Sequence, residues 1–277
     1  MLLIKLLLLG YLCFVAVNTV SYLVSQYERA READPATEAA HISLGRGLGV
    51  VLMEAAASYF TWLTLPMKFL ERGSQVRLAG HNQYPILCVH GYYGHAGNFW
   101  VLRSKLRAMG LDCFAAYSYR TTAGSIADMA TELSRQVDRI KIETGCERID
   151  ILAHSLGSLV AMHYITHMDG AANVRKLVAI AAPYAGTRMA AFFPRHAMDL
   201  LHPKNPELAE LQKAAAKVEG TQFVSIYSPD DALVVPGESG ELKGYGVNHS
   251  LGGMGHNTLL FSERTAEVIR TELTAQA

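Results

Sequence analysis

The sequence predicts an α/β domain built on a mainly parallel sheet, and three features carry that expectation. Beyond about residue 75, short apolar runs alternate with helix-length amphipathic segments, the rhythm of βαβ units. One of those runs, Arg148–Ala153, ends in a small-residue turn at Ser155 and passes directly into a helix-length segment. The chain is also long and apolar enough for one large core, with 277 residues, 50% apolar and 18% charged.

The N-terminus comes before that rhythm. Residues 1–24 carry a single charge, Lys5, and the apolar stretch Leu6–Val24 is long enough to cross a bilayer. No good small-x-small cleavage site lies near Ala16, so an uncleaved signal anchor is expected, with secretion after signal cleavage as the alternative. Lys5 before the span and Arg29 and Arg31 after it specify orientation only weakly. Residues 25–75 form a second region. It opens with a charged juxtamembrane helix or linker and continues as an apolar stretch from Gly47 to Leu70, interrupted by Glu54, Pro66 and Lys68. Those interruptions favour a helix packed on the domain, or lying in the membrane interface, over a second span. Gly45, Gly47 and Gly49 read as a flexible joint.

Residues 76–277 form the third region. Strands are expected at Ile86–His90, Asp112–Tyr117, Arg148–Ala153, Val174–Ala181, Thr221–Tyr227 and Lys243–Asn248. Helices are expected at Asn98–Met109, Ser125–Thr144, Leu156–Met168 and Asn257–Thr274. The alternation breaks over about 188–220, which reads as a small inserted helical cap.

Lys+Arg and Asp+Glu both number 25, so the chain is formally neutral and nothing in its charge favours a nucleic-acid partner. Cys13, Cys88, Cys113 and Cys146 have the spacing of neither a zinc site nor a disulfide framework. His163 and His167 lie four apart on one predicted helix, but no acidic partner completes a metalloprotease motif. No metal and no organic cofactor is expected.

The turn is where chemistry enters. Ala153-His154-Ser155-Leu156-Gly157 follows a strand and opens a helix, the context of a nucleophile elbow. The elbow needs small neighbours because strand and helix approach closely there, and Ala153 and Gly157 supply the room. A serine nucleophile needs a general base and an orienting carboxylate, in the chain order Ser, Asp or Glu, His. The last predicted strand is followed by a glycine-rich loop ending at His256, which makes His256 the candidate base, with His249 in the same loop as the alternative. His196 and His202 fall in the cap. The preceding strand runs into Asp230 and Asp231, two adjacent carboxylates that cannot both face one imidazole. The one that does not is expected to be a solvated turn residue. An oxyanion needs two aimed N–H groups. Leu156 after the nucleophile is one, and Tyr92 in the loop His90-Gly91-Tyr92-Tyr93-Gly94 is the other. His90 is read as structural. Tyr93 with Phe192 and Phe193 of the cap are candidate substrate-binding residues on an apolar pocket.

With these residues placed, the chain resembles the bacterial triacylglycerol lipase/esterase group of the α/β-hydrolase superfamily, which carries an Ala-x-Ser-x-Gly elbow. VHGYYGHAGNF resembles the group's oxyanion loop and implies Tyr92; AHSLG resembles its elbow and implies Ser155 and Leu156. SIYSPDDALV resembles its Ser-x-x-Asp-x-x-Val segment and implies Asp231, and GMGHNTLLFS resembles its histidine segment and implies His256. The likeness runs from about Tyr84 to the C-terminus. It implies a carboxylic-ester hydrolase working through a Ser155–Asp231–His256 triad and an acyl-enzyme, on a lipid or other apolar ester. The protein would be anchored in the bacterial inner membrane by its N-terminal helix. Two alternatives stay open: an acyltransferase or thioesterase on the same triad, and an inactive membrane-tethered binding module.

Overall fold

The structure, a computed structural model, describes residues 2–31, 44–66 and 83–275. Six strands, β1 (Ile86–Val89), β2 (Phe114–Ala116), β3 (Ile149–His154), β4 (Val174–Ile180), β5 (Gln222–Tyr227) and β6 (Val247–Ser250), form one sheet in the order β2-β1-β3-β4-β5-β6. Every pairing is parallel. β1, β3 and β4 are buried at every position, as central parallel strands covered on both faces must be, which is why they read as apolar runs. Edge strand β6 is largely exposed.

Two helical layers cover the sheet. On one face α4 (Ile126–Thr144), α5 (Leu156–His167) and α7 (Pro206–Ala215) bury Ile126, Leu133, Leu159 and Leu211 against Leu87 and Val89. On the other, α3 (Trp100–Ala108) and α8 (Glu263–Thr274) bury Leu102, Leu106 and Ile269 against Ile86 and Cys88. The strict alternation along β1 is the period-two geometry of a strand. Caps set several helix ends. Ser125 and Asp128 form a capping box at the start of α4, and Gly145 ends that helix in the left-handed conformation, φ 70°.

Two boundaries differ from expectation for local reasons. β6 begins at Val247 rather than Lys243, because Gly244 and Gly246 adopt φ values of +82° and +68° that no strand accommodates. The last helix starts at Glu263 rather than Asn257: a 3-10 turn over Thr258–Phe261 comes first, and Ser262 caps α8. The segment expected as a cap divides. A 3-10 turn (Arg188–Phe192) and α6 (Arg195–Leu201) lie over the sheet edge, whereas α7 packs on α5 as part of the core.

The N-terminal region is a pair of antiparallel helices, α1 (Leu2–Ala30) and α2 (Leu44–Leu63). α1 is long and apolar enough to cross a membrane. It runs past the expected end at residue 24 because Ser25-Gln26-Tyr27-Glu28-Arg29-Ala30 continues the helix without a breaker. At two glycines a side chain from the facing helix fills the space where a Cβ would stand. A Cβ on Gly10 would lie 2.9 Å from the Tyr59 hydroxyl, and one on Gly47 would lie 2.8 Å from that of Tyr22. Small residues at such crossings let backbones come together. Gly45, Gly47 and Gly49 therefore belong to the first turns of a helix, not to a flexible joint. The Tyr59 hydroxyl also donates to the Leu7 carbonyl at 2.9 Å, and that of Tyr11 to the Leu52 carbonyl at 3.2 Å. The expected linker falls partly outside the described residues, at 32–43 and 67–82.

Candidate functional site

Ser155 occupies the single residue between β3 and α5, with φ 53° and ψ −126°. A non-glycine residue at positive φ is strained and persists only where its surroundings hold it. Here the Ser155 N–H donates to the Ile180 carbonyl at 2.9 Å, tying the turn to β4. Two glycines make the turn possible. A Cβ on Gly157 would lie 2.5 Å from the carbonyl oxygens of both Val89 and His90, and a Cβ on Gly91 would lie 2.8 Å from Ser155 Cβ. The turn is thus pressed directly against the end of β1 and the loop that follows it.

Ser155 faces a cavity of about 230 Å³. Gly91, Tyr92 and Tyr93 from the loop after β1 line it, together with His256. Phe193, Pro194 and Leu201 form an apolar wall from the segment over the sheet edge, and Leu233 and Val234 form another. Phe192 differs from its neighbour: it is 64% exposed and does not line the cavity, so of the expected substrate-binding residues the structure brings only Tyr93 and Phe193 there. Leu156 buries its side chain in the core, while its N–H lies in the first turn of α5, where a helix leaves its amides without internal acceptors.

His256 is buried, and its Nδ1–H donates to Asp231 Oδ2 at 2.7 Å. This tautomer leaves Nε2 as an acceptor. Asp231 Oδ1 in turn accepts from the N–H groups of Leu233 at 2.7 Å and Val234 at 2.9 Å. Burial opposes the charge on Asp231, but the adjacent imidazole and these hydrogen bonds hold its carboxyl below the ordinary range. Burial likewise works against a charged His256. The Asp231 charge and hydrogen bond, joined by the charge of Glu54, carry it above the usual histidine value.

Asp230 is buried as well, not solvated, and accepts a hydrogen bond from the Gly253 N–H, bracing the histidine loop. His249 lies on β6 and meets Glu272 of α8 at 2.8 Å, away from the cavity. His90 donates from Nδ1 to the Gly91 carbonyl at 2.9 Å, accepts the Tyr119 N–H at Nε2 at 3.1 Å and stacks on the Tyr119 ring. Its two ring nitrogens are thus committed to holding the loop after β1. Burial pushes the Cys88 thiol up to about 12, so it stays protonated. The His163 and His167 rings stack 4.7 Å apart, and His163 faces Glu207 of α7 at 3.8 Å. Among the described residues no group of His, Cys, Asp or Glu has a metal-holding arrangement.

Two residues at the site escaped the sequence reading. His154 packs its ring 4.7 Å from that of His256 and donates from Nε2 to the His256 carbonyl at 3.2 Å. Burial, then the neighbouring imidazole, pushes it down to about 3, so it stays neutral. Glu54 of α2 reaches the residues just after His256, with Oε1 accepting the Asn257 N–H at 2.8 Å and Oε2 the Thr258 N–H at 2.9 Å. One signal pointed to it: a lone acid in an apolar helix is costly and is usually there for a reason.

A family model described as the alpha/beta hydrolase family matches residues 86–236, more than half of the chain. Among solved structures, the Bacillus licheniformis lipase BlEst2 in mature form is similar at 14% identity, with a TM-score of 0.60 over 73% of this chain and 97% of that one. Aspergillus fumigatus lipase B is similar at 15% identity and a TM-score of 0.60, over 88% of this chain and 60% of that one. A monoacylglycerol lipase from Paleococcus ferrophilus matches at 14% identity and 0.52, over 69% and 96%. Identities this low speak for the fold alone. The family match runs from the first strand through the loop that holds Asp231, across the turn at Ser155, and the chain belongs to the alpha/beta hydrolase family.

Proposed function

We propose that this hydrolase is a membrane-anchored serine esterase or lipase, acting on a carboxylic ester with an apolar acyl group. The observation that carries the reading is the buried Asp231–His256 hydrogen bond at 2.7 Å on a cavity that the strained Ser155 also faces. A carboxylate that holds the Nδ1–H tautomer presents Nε2 as a base, and a serine at the cavity wall is the group to deprotonate.

In this mechanism Ser155 Oγ attacks the ester carbonyl while His256 Nε2 takes its proton. Asp231 stabilises the imidazolium. The N–H groups of Tyr92 and Leu156 receive the oxyanion, each worth about 3 kcal/mol. His256 then protonates the departing alcohol, and water attacks the acyl-enzyme by the same route. The walls made by Phe193, Pro194, Leu201, Leu233 and Val234 suit an acyl chain.

Anchoring is the second part of the reading. α1 exposes Ile4, Leu6, Leu8, Leu9, Leu12, Val17, Val20 and Leu23, an apolar surface that a bilayer would cover. Its end is also tied to the domain: Arg29 donates to the Asp231 carbonyl at 2.6 Å, and Arg188 donates to that of Glu28 at 3.0 Å. These ties favour a retained helix over a cleaved one.

Covalent labelling of the full chain by a fluorophosphonate, beside Ser155→Ala, tests the mechanism. Labelling of the wild type alone is expected; equal labelling of both, or of neither, overturns it. Hydrolysis of p-nitrophenyl esters of increasing chain length then divides esterase from lipase, and product analysis with water and a competing alcohol divides hydrolase from acyltransferase. Release of the full-length protein from membranes by alkaline carbonate would count against the anchor.

A further inference from the structure

We propose that Glu54, carried on α2, is a positioning residue of the active site, which makes the N-terminal helix pair a working part of the catalytic centre. The inference rests on the serine-hydrolase reading above.

Glu54 is 4% exposed. Both of its carboxylate oxygens bond to the residues that follow His256, and Oε1 also accepts from the Ser58 hydroxyl at 3.5 Å. Oε1 accepts the Asn257 N–H at 2.8 Å and the Asn257 Nδ2–H at 2.8 Å. Oε2 accepts the Thr258 N–H at 2.9 Å and the Thr258 hydroxyl at 2.8 Å. A carboxylate has about four acceptor positions and no donor, so it alone among side chains of this length can take such a set. The fit is close on the other side too. A Cβ on Gly255 would lie 2.5 Å from Glu54 Oε2, so any larger residue there would displace the carboxylate from its present position. His256 is thus gripped between a residue that makes room for Glu54 and two that bond to it.

A buried carboxylate is costly unless it is hydrogen-bonded or faces a positive charge. In the mechanism above, a positive charge forms on His256 each time Ser155 gives up its proton. The titratable groups around His256 are Asp231 from the loop after β5, Glu54 from α2 and His154 from β3, the last kept neutral by burial. Glu54 is therefore a second negative charge favouring the imidazolium. The same helix pair braces the neighbouring loops. His95, just beyond the loop at Gly91, meets the Thr61 carbonyl and the Thr64 hydroxyl of the α2 end at 3.4 Å each. Arg29 of α1 holds the Asp231 carbonyl.

The test compares full-length wild type, Glu54→Gln, Glu54→Asp and Ser155→Ala in detergent. Two quantities are read against pH. One is the rate of fluorophosphonate labelling. The other is exchange of the imidazole C2 hydrogen of His256, followed by mass spectrometry, which reports its pKa without any activity. For Glu54→Gln, labelling is expected to slow on the order of 10- to 100-fold, the cost of a misplaced base. Its His256 midpoint is expected to fall by about one unit for loss of a nearby charge, with KM for a p-nitrophenyl ester little changed. Glu54→Asp keeps the charge but shortens the reach, so its midpoint should return toward wild type while labelling recovers only in part. A folded Glu54→Gln with wild-type rate and midpoint overturns the proposal. Should that variant fail to fold, a Glu54→Asp that labels at the wild-type rate overturns it, and a slowed one with a wild-type midpoint supports it. Failure of the wild type to label removes the serine-hydrolase reading instead, and the His256 midpoints of wild type and Glu54→Gln still decide whether Glu54 acts on the imidazole.

Discussion

The turn at Ser155 and the loop at His256 meet at one cavity but are held there in different ways. Ser155 is set by packed backbone: β3 ends, α5 begins, its N–H bonds to Ile180 of β4, and Gly157 lets the turn press on the end of β1. His256 is set by distant groups. Asp231 comes from the preceding loop, Asp230 braces Gly253, and Glu54 reaches in from more than two hundred residues earlier in the chain. A side chain on a strained backbone turn needs tight backbone packing around it, whereas an imidazole at the end of a glycine-rich loop has little local structure to lean on. It must borrow rigidity from charged and polar partners elsewhere.

That contrast can be broken at either end. The largest effect is expected from Asp231→Asn, which removes the carboxylate that fixes the His256 tautomer and should lower kcat by about 10⁴-fold for a p-nitrophenyl ester. Asp230→Asn, one residue away, should cost about 1 kcal/mol of stability by weakening its bond to Gly253. It should label far closer to wild type than Asp231→Asn does; similar losses in both would mean that the brace and the orienting carboxylate are not separate. At the Ser155 turn, Gly157→Ala is expected to destabilise the fold by about 3 kcal/mol, the upper range for overpacking, because two carbonyl oxygens stand 2.5 Å from the new methyl. An unchanged melting temperature would show that the turn has slack.

A smaller effect should appear in the pH profile. In the proposed mechanism His256 must be neutral to accept the serine proton, and its pKa lies above the ordinary histidine value. The acidic limb of kcat/KM should therefore have its midpoint above about 6.5, with activity falling tenfold per unit below it; a midpoint beneath that value would contradict the electrostatics of the histidine loop. The smallest change separates two adjacent side chains. Phe193→Ala should lower kcat/KM on long-chain esters about fivefold, the equivalent of about 1 kcal/mol of lost apolar contact. The exposed Phe192→Ala should be near neutral.

Much of this was legible beforehand, for physical reasons that differ by residue. The central strands could be read because burial on both faces demands unbroken apolar runs. Ser155 could be read because a strand-to-helix turn tolerates only small residues around it. The start of β6 was missed because the positive φ of Gly244 and Gly246 is a property of the folded backbone, and glycine alone does not announce it. Asp230 was misjudged because a carboxylate after a proline looks the same in sequence whether water or Gly253 receives it. Glu54 stood out only as an odd charge in an apolar helix.

The amino-acid sequence by itself determined the parallel α/β architecture, the strand-to-helix turn at Ser155 and the candidate acid and base, because each follows from residues close together in the chain or from a fixed chain order. Only the tertiary structure decided that Asp230 is buried against the Gly253 N–H, that Phe193 but not Phe192 faces the cavity, and that α2 reaches into the histidine loop. Those are matters of which side chains converge in space, and no local period or spacing encodes a contact between α2 and a loop on the far side of the sequence.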